Sequence, residues 1–438
     1  MRTRRTGTLV AGILAVALVA LVAWAAWPPS EKPYHELVAR LRAAGEPVDY
    51  DALSPRRGPV SENGAAGLRA AREWLTANVR GEAWTTLWNA LPADAPTPEP
   101  SAELAAVVDR LTPFFELVAG AASKPHLQYL DERRDSTGFP AGAEWFLRPS
   151  YLSLVGDVGH VLAACAFGAR DANRRTDAIV WNTAIAVRLD CVSAQDHTTA
   201  AATASVALLS IRREMERGRL DPAAARARLD PLLREPWIRR VPALARAQRA
   251  ILVQSYRAIL DGTYPIPASM RTTWYERLLH GCKCGGHDAD DELLHAGMAP
   301  TVVRSCELMS RAALLPPSGW RDYRTALQAA TGEVGAADGW FPTIAREFVR
   351  LDAAQGLARI ALAVAEFSTT RGDFPASLDD LRPMFADGVP IDPFTDAPFV
   401  YQRTSTGVRI ASLGRLATDP AEEDTELRER GLVWELKR

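Results

Sequence analysis

The segment LLHGCKCGGHDADDELLH, Leu278 to His295, gathers His280, Cys282, Cys284, His287, Asp288, Asp290 and His295. Thiolate and imidazole are zinc ligands, and glycines at 281, 285 and 286 would let a chain wrap around an ion. His280, Cys282, Cys284 and His287 are therefore the candidate metal residues, and a metal-dependent hydrolase is the chemistry they would serve. The spacing argues against it. Cys-x-Cys is not the Cys-x-x-Cys knuckle that aims two sulfurs at one ion, and no second cysteine pair completes the ligand set. Two blander readings stand beside it: a disulfide to Cys306, and a glycine-rich loop leading to a helix whose N-terminus suits Asp288, Asp290 and Asp291.

Nucleophilic chemistry has no local signature here. Gly-x-Ser-x-Gly, Ser-x-x-Lys and His-Glu-x-x-His are absent, as are the glycine patterns that cradle phosphates. His160 sits in SLVGDVGHVLAACAF, an apolar helix, and reads as a core histidine. His197 follows Asp196 at a helix start, where capping and catalysis explain it equally. Cys165 and Cys191 read either as a bridge between neighbouring helices or as buried small apolar residues. The twelve tryptophans are scattered as core or surface anchors.

The elements that would position such residues are mainly helical. With 438 residues, 24% charged and 47% hydrophobic, the composition is that of a globular chain of two or three domains. Fifty-one basic against fifty-three acidic residues leave no field to recruit nucleic acid. The N-terminus differs. Arg2, Arg4 and Arg5 precede an uncharged run, Leu9 to Trp27, whose nineteen residues would span roughly 28 Å as a helix, close to the bilayer core. Trp24 and Trp27 suit the far interface and Pro28-Pro29 end the run. Arginines stay cytoplasmic, so this reads as a single-pass inner-membrane anchor with the bulk of the chain extracytoplasmic, that is, periplasmic. A cleaved signal peptide, with Ala23-Trp24-Ala25 as its small-x-small site, is the competing reading; the length of the apolar run favours the anchor.

From Tyr34 to about Thr370 apolar residues recur at helical spacing. Helices are expected at 35–44, after Ser61 or Asn63, and at 102–122, 151–169, 174–191, 198–218, 222–234, 242–262 and 291–313. A long one runs from Pro342 to about Thr370 with Ile344, Phe348, Leu351, Ala353, Leu357, Ile360, Val364 and Phe367 as one stripe. After Gly372 the pattern changes to a short helix (Ser377 to about Arg382), a turn at Pro390-Ile391-Asp392-Pro393, and strands at 399–403 and 408–412 around Ser405-Thr406-Gly407. Leu432 to Leu436 reads as an added edge strand. The expected fold class is thus mainly α: an N-terminal transmembrane helix (1–30), an α-helical extracytoplasmic domain (31–340), and a small C-terminal α+β domain with a short antiparallel sheet (341–438).

That tail carries Gly372, Phe374, Pro375, Ser377, Leu378 and Leu381, then Val389, Pro390, Asp392, Pro393, Phe394, Asp396, Pro398, Phe399 and Tyr401. With Ser412-Leu413-Gly414 and Leu432-Val433-Trp434, it resembles the C-terminal region of type II secretion major pseudopilins. It is still more similar to the pseudopilin-like tail of membrane-anchored proteins of planctomycete-type bacteria, whose opening segment GEPVDYDALSPRRGPVSENGAAGLRAA also resembles. Together these cover about a quarter of the chain. The departures are that the apolar segment lies far upstream of the tail and contains no acidic residue for prepilin-type processing. The resemblance implies a pseudopilin-like α+β tail and a calcium loop, for which Asp419, Glu422, Glu423 and Asp424 offer hard oxygen ligands. The glycines that would fold such a loop are missing among those acids, and a solvated acidic loop is the alternative. Asp419, Glu423 and Asp424 are carried forward as candidate ligands.

The leading expectation is a non-enzymatic envelope protein that makes protein contacts and needs no cofactor. An accessory component of a type II secretion or pilus-like system, with envelope or secretion-system proteins as partners, follows from the resemblance. The zinc-dependent hydrolase centred on 280–295 is the reading from a different class.

Overall fold

A computed structural model describes residues 31–53, 59–90, 99–129, 150–191, 194–261, 287–314, 340–412 and 432–437. The apolar run 9–27 lies outside them. Among the described residues no helix is long and apolar enough to cross a membrane.

The chain is mainly helical with a small C-terminal antiparallel sheet. The helices are α1 (Lys32–Ala43), α2 (Tyr50–Leu53), α3 (Ala65–Asn78), α4 (Glu82–Trp88), α5 (Ala102–Asp109), α6 (Thr112–Ala122), α7 (Ser150–Gly168), α8 (Ala172–Arg188), α9 (Ala194–Glu216), α10 (Pro222–Leu229), α11 (Val241–Leu260), α12 (His287–Leu314) and α13 (Trp340–Arg371). The strands are β1 (Ile391–Asp392), β2 (Ala397–Pro398), β3 (Val400–Arg403), β4 (Gly407–Ala411) and β5 (Val433–Lys437).

Local chemistry explains most boundaries. Ser101 Oγ accepts from Leu104 N–H at the start of α5, Asp171 from Asn173 and Arg174 at α8, and Asp221 from Ala223 and Ala224 at α10. Each side chain satisfies N–H groups that the first helical turn leaves open. The single helix expected over 102–122 is two. Pro113 has no N–H to continue α5 and sits instead in the first turn of α6, where none is needed. The helix expected over 222–234 stops at Leu229, just before Pro231.

Backbone contacts divide the chain into two compact units. Of the described residues, 31–52, 249–261 and 287–307 belong to the smaller and the rest to the larger. In the smaller unit Tyr34, Leu37, Val38 and Leu41 of α1 pack with Val253, Tyr256, Val302 and Cys306. Tyr34 donates its hydroxyl to the Val253 carbonyl at 2.8 Å, and the Arg249 guanidinium, 2% exposed, pairs with Glu46. Burial pushes the Tyr34 and Tyr256 hydroxyls above the ordinary tyrosine range.

In the larger unit α7, α8 and α9 pack against one another, with α3 and α6 beside them. Helix α13 packs on α9, α10 and β5. Its apolar stripe is deeper than the sequence suggests: Ala353, Leu357, Ile360 and Val364 are fully buried, and so are Ala358, Ala361, Leu362 and Ala363 between them. A helix buried on most of its circumference runs through a core, and the alanines permit close neighbours; the buried Gln355 and Arg359 interrupt the apolar surface. Phe367, in its last turns, is only half-buried.

After Arg371 the chain turns at Gly372 into a 3₁₀ helix, Leu378–Met384. Ser377 and Asp380 form a reciprocal capping box there, with Asp380 accepting from Ser377 N–H. The turn expected at 390–393 lies slightly later. Ile391 and Asp392 are extended and pair with Pro398 and Ala397, and the reversal falls between them. Strand β4 is central: Val400 faces Ala411 on one side, and Gly407 faces Lys437 on the other. The expected hairpin and closing edge strand are both present.

Candidate functional site

The candidate metal residues fall largely outside the described structure. His280, Cys282 and Cys284 lie outside the described residues, and so do Asp419, Glu423 and Asp424; His287 is the first residue of α12. Among the described residues no group of three or more His, Cys, Asp or Glu converges as a cation site.

The cysteines that are described retain thiols. Cys165 is buried in α7, where the apolar surroundings push its thiol above the ordinary range. Cys191 lies just beyond α8, its Sγ 3.3 Å from the Leu189 carbonyl and 3.5 Å from the Arg240 guanidinium. No bridge joins Cys165 to Cys191. Cys306 is a buried thiol whose Sγ lies 3.9 Å from the Arg249 carbonyl.

The histidines resolve differently. His160, midway along α7, is half-buried rather than in the core. Its Nε2 lies 2.9 Å from the Trp88 carbonyl, and its ring stacks on Trp88 at 4.1 Å. A carbonyl only accepts, so Nε2 carries the hydrogen. His197 is buried beside Phe348 of α13, with ring centres 6.0 Å apart. Helix α9 starts at Ala194, so neither Asp196 nor His197 is its capping residue.

What the fold brings together instead is a set of charged residues around α13. Arg359, 8% exposed on its side chain, donates Nε to Asp230 at 2.7 Å and its terminal nitrogen to both oxygens of Asp387 at 2.8 and 3.0 Å. Asp230 also receives Arg234. About two turns further along α13, Glu366 pairs with Arg226, which also donates to the Met384 carbonyl at 3.0 Å. Two arginines thus link α10, α13 and the start of the tail. Arg359 holds the Asp387 carboxyl below the usual range, outweighing its partial desolvation. Asp352, also on α13, accepts from the N–H groups of Trp237 and Ile238, which open the 3₁₀ turn Trp237–Arg240. Burial raises its carboxyl to about 7 against those donors and against Arg239 and Arg240.

A second cluster closes α7. Arg219 and Arg175 donate to the Phe167 and Ala169 carbonyls, both at 2.7 Å. Their charges, with that of Arg217, converge on the buried Glu214 at 3.0, 3.7 and 3.4 Å respectively. The carbonyl end of a helix favours cations, and the buried carboxylate offsets part of the mutual repulsion of the three guanidiniums.

The tail residues singled out by type have specific structural duties. Asp392, 1% exposed, accepts from Phe394 N–H at 3.0 Å and from the hydroxyl of Ser412 at 2.9 Å. Its backbone carbonyl accepts from Asp396 N–H at 2.9 Å, closing the turn between β1 and β2. Tyr401 donates to the Pro375 carbonyl at 2.7 Å, and burial pushes its hydroxyl up to about 12. Phe374, Leu381, Phe399 and Trp434 are buried. The Phe399 ring lies over Gly356 of α13, so close that a Cβ on Gly356 would stand 2.8 Å from it.

Asp230, Asp352 and Arg359 carry no local sequence signature of these roles, and Asn63, expected only as a helix start, also accepts from Gln128 N–H and donates to its carbonyl. For Arg359 the available signal was a lone cation inside an otherwise apolar stretch of helix; its partners are too distant in sequence to be paired by spacing. No protein-family model matches the chain, and no curated protein or solved structure matches it.

Proposed function

We propose that this chain is a single-pass envelope protein of non-enzymatic, protein-binding role, anchored by residues 9–27 with its bulk outside the cytoplasm. The anchoring rests on the sequence: arginines, then an uncharged run of bilayer length, then tryptophans and prolines. The observation that carries the binding role is how the C-terminal sheet is mounted. Arg226 and Arg359 tie its approach to α10 and α13, Phe399 keys over Gly356, and Asp392 joins the turn to the end of β4. A small sheet held at so many points is a rigid platform, and a rigid platform loses little conformational entropy when a partner docks.

The experiment is fractionation of cells expressing the full chain with a C-terminal tag. The protein is expected in the membrane pellet after alkaline extraction, with the tag digested by protease added to spheroplasts. Release by alkali, or a tag protected in intact spheroplasts, would overturn the topology. Cross-linking in membranes, followed by identification of bound proteins, tests the role itself, and the absence of any specific cross-linked partner would count against it.

The second reading, an accessory component of a type II secretion or pilus-like system, is favoured by the order of elements in the tail. A long helix, a capped short helix, an Asp-Pro turn, a hairpin and a closing strand follow one another as the resemblance implies. Its test is whether secretion-system subunits appear among the cross-linked partners.

A further inference from the structure

The chain contains one Asn-Gly dipeptide, Asn63-Gly64. Such a pair is chemically labile because glycine, lacking Cβ, leaves its amide nitrogen unobstructed. That nitrogen can attack Asn63 Cγ. An N–Cγ bond forms, the Cγ–Nδ2 bond breaks, and ammonia leaves with the Gly64 amide hydrogen. Water then opens the five-membered imide, hydroxyl to a carbonyl carbon and hydrogen to nitrogen, giving aspartate or isoaspartate.

The fold imposes this dipeptide and also restrains it. Glycine is required because a Cβ at position 64 would stand 2.3 Å from the Ala121 carbonyl oxygen and 2.8 Å from Leu127 Cδ2. Asparagine is required because Oδ1 accepts from Ala65 and Gln128 N–H at 3.0 and 2.9 Å, while Nδ2 donates to the Gln128 carbonyl at 2.8 Å. The same contacts hold the reacting atoms apart. Gly64 N–H is engaged with the His126 carbonyl at 2.8 Å. Asn63 has ψ 121°, which for an L residue sets the Gly64 nitrogen beside the α-hydrogen rather than beside Cβ, where ring closure needs it. Residue 63 also pairs with His126, and Leu127 with Leu189, so the restraint belongs to a three-segment parallel pairing.

We propose that Asn63-Gly64 is a latent deamidation site, silent while this pairing is closed and reactive when it opens. The reaction is one-way for the fold. Aspartate replaces the Nδ2 donor with an oxygen facing the Gln128 carbonyl, and isoaspartate lengthens the main chain within the pairing.

The test incubates the full-length protein in neutral buffer with detergent, with and without denaturing urea. Peptide mass spectrometry then separates the peptide with intact Asn63 from its aspartate and isoaspartate products. Native deamidation is expected at least about tenfold slower, equivalent to roughly 1.4 kcal/mol of local opening. Native and denatured rates within about twofold of each other would overturn the proposal. Leu127→Ala, which loosens the packing on Gly64 without touching the dipeptide, should speed the native reaction and leave the denatured rate unchanged. A measurement that needs no variant is a series in sub-denaturing urea, where deamidation should rise in parallel with hydrogen exchange of the Gly64 amide. A deamidation rate that stays flat while exchange rises refutes it.

Discussion

Arg359 and Asp230 lie 129 residues apart in sequence and meet inside the larger unit, Nε to Oδ1 at 2.7 Å, with both side chains under a tenth exposed. Removing one partner of a buried pair strands the other's charge, which typically costs about 3–5 kcal/mol. Arg234 also holds Asp230, so Arg359→Ala is expected at the lower end, about 3 kcal/mol, read from the urea midpoint. Asp387→Ala should cost under about 1 kcal/mol, because that carboxylate is half in solvent. Equal losses in the two variants would show that Asp387, not Asp230, is the dominant partner.

Gly356→Ala sets two effects against each other. Helix propensity favours alanine by about 1 kcal/mol. The new Cβ would press on the buried Phe399 ring at 2.8 Å, and overpacking of this kind costs about 1–3 kcal/mol. Net destabilisation of about 1 kcal/mol is expected, and Phe399→Leu in the same chain should relieve it. A Gly356→Ala protein more stable than wild type would mean the ring moves aside freely.

Asp392→Ala leaves the Phe394 N–H and the Ser412 hydroxyl without this acceptor inside the tail. The expected cost is about 2 kcal/mol, with Ser412→Ala costing about half as much. Hydrogen exchange of the 391–398 amides would locate the loss; protection lost uniformly along α13 instead would place the effect elsewhere.

The pH dependence has opposing parts. Asp352 is raised to about 7 in the folded chain, while an unfolded aspartate titrates near about 4. Between those values the folded state holds a proton that the unfolded state has released, so this residue's contribution to stability falls as pH rises. Asp387 is depressed by Arg359, and its contribution is lost as pH falls through its folded value. The unfolding free energy from urea titrations across pH 4 to 7 should therefore decline less steeply in Asp352→Asn than in wild type, by up to about 1.4 kcal/mol per pH unit. Parallel profiles would show that Asp352 is ionised throughout.

For the 280–287 cluster, metal analysis of the purified protein is the direct measurement. The non-enzymatic reading expects no stoichiometric zinc, and unchanged thermal stability after chelation. One zinc per chain, lost in His280→Ala or Cys282→Ala, would favour the hydrolase reading instead.

Much of the architecture was legible because its causes are local. The hairpin around Ser405 to Gly407 and the closing strand at 433–437 follow from nearby residues; the caps at Ser101, Asp171 and Asp221 are equally local in cause, but the structure identified them. The capping box of Ser377 and Asp380 is equally local, and the short helix it opens runs to Met384 where an end at about Arg382 was expected. Local rules also explain the break at Pro113 once it is seen, since a missing N–H acts within one turn.

What sequence alone determined, then, is a helical chain with a small C-terminal sheet, because periodicity, caps and turns act over a few residues. Tertiary structure decided the rest. It buried the middle of α13 on nearly every side, joined Arg359 to Asp230 and Asp387, set Asp352 against Trp237 and Ile238, and closed Asn63 onto Gln128. Apart from the Arg359–Asp387 pair, these contacts link residues more than sixty positions apart. Their strength comes from burial, and no pattern of neighbouring residues encodes which distant charge or carbonyl will share the same low-dielectric site.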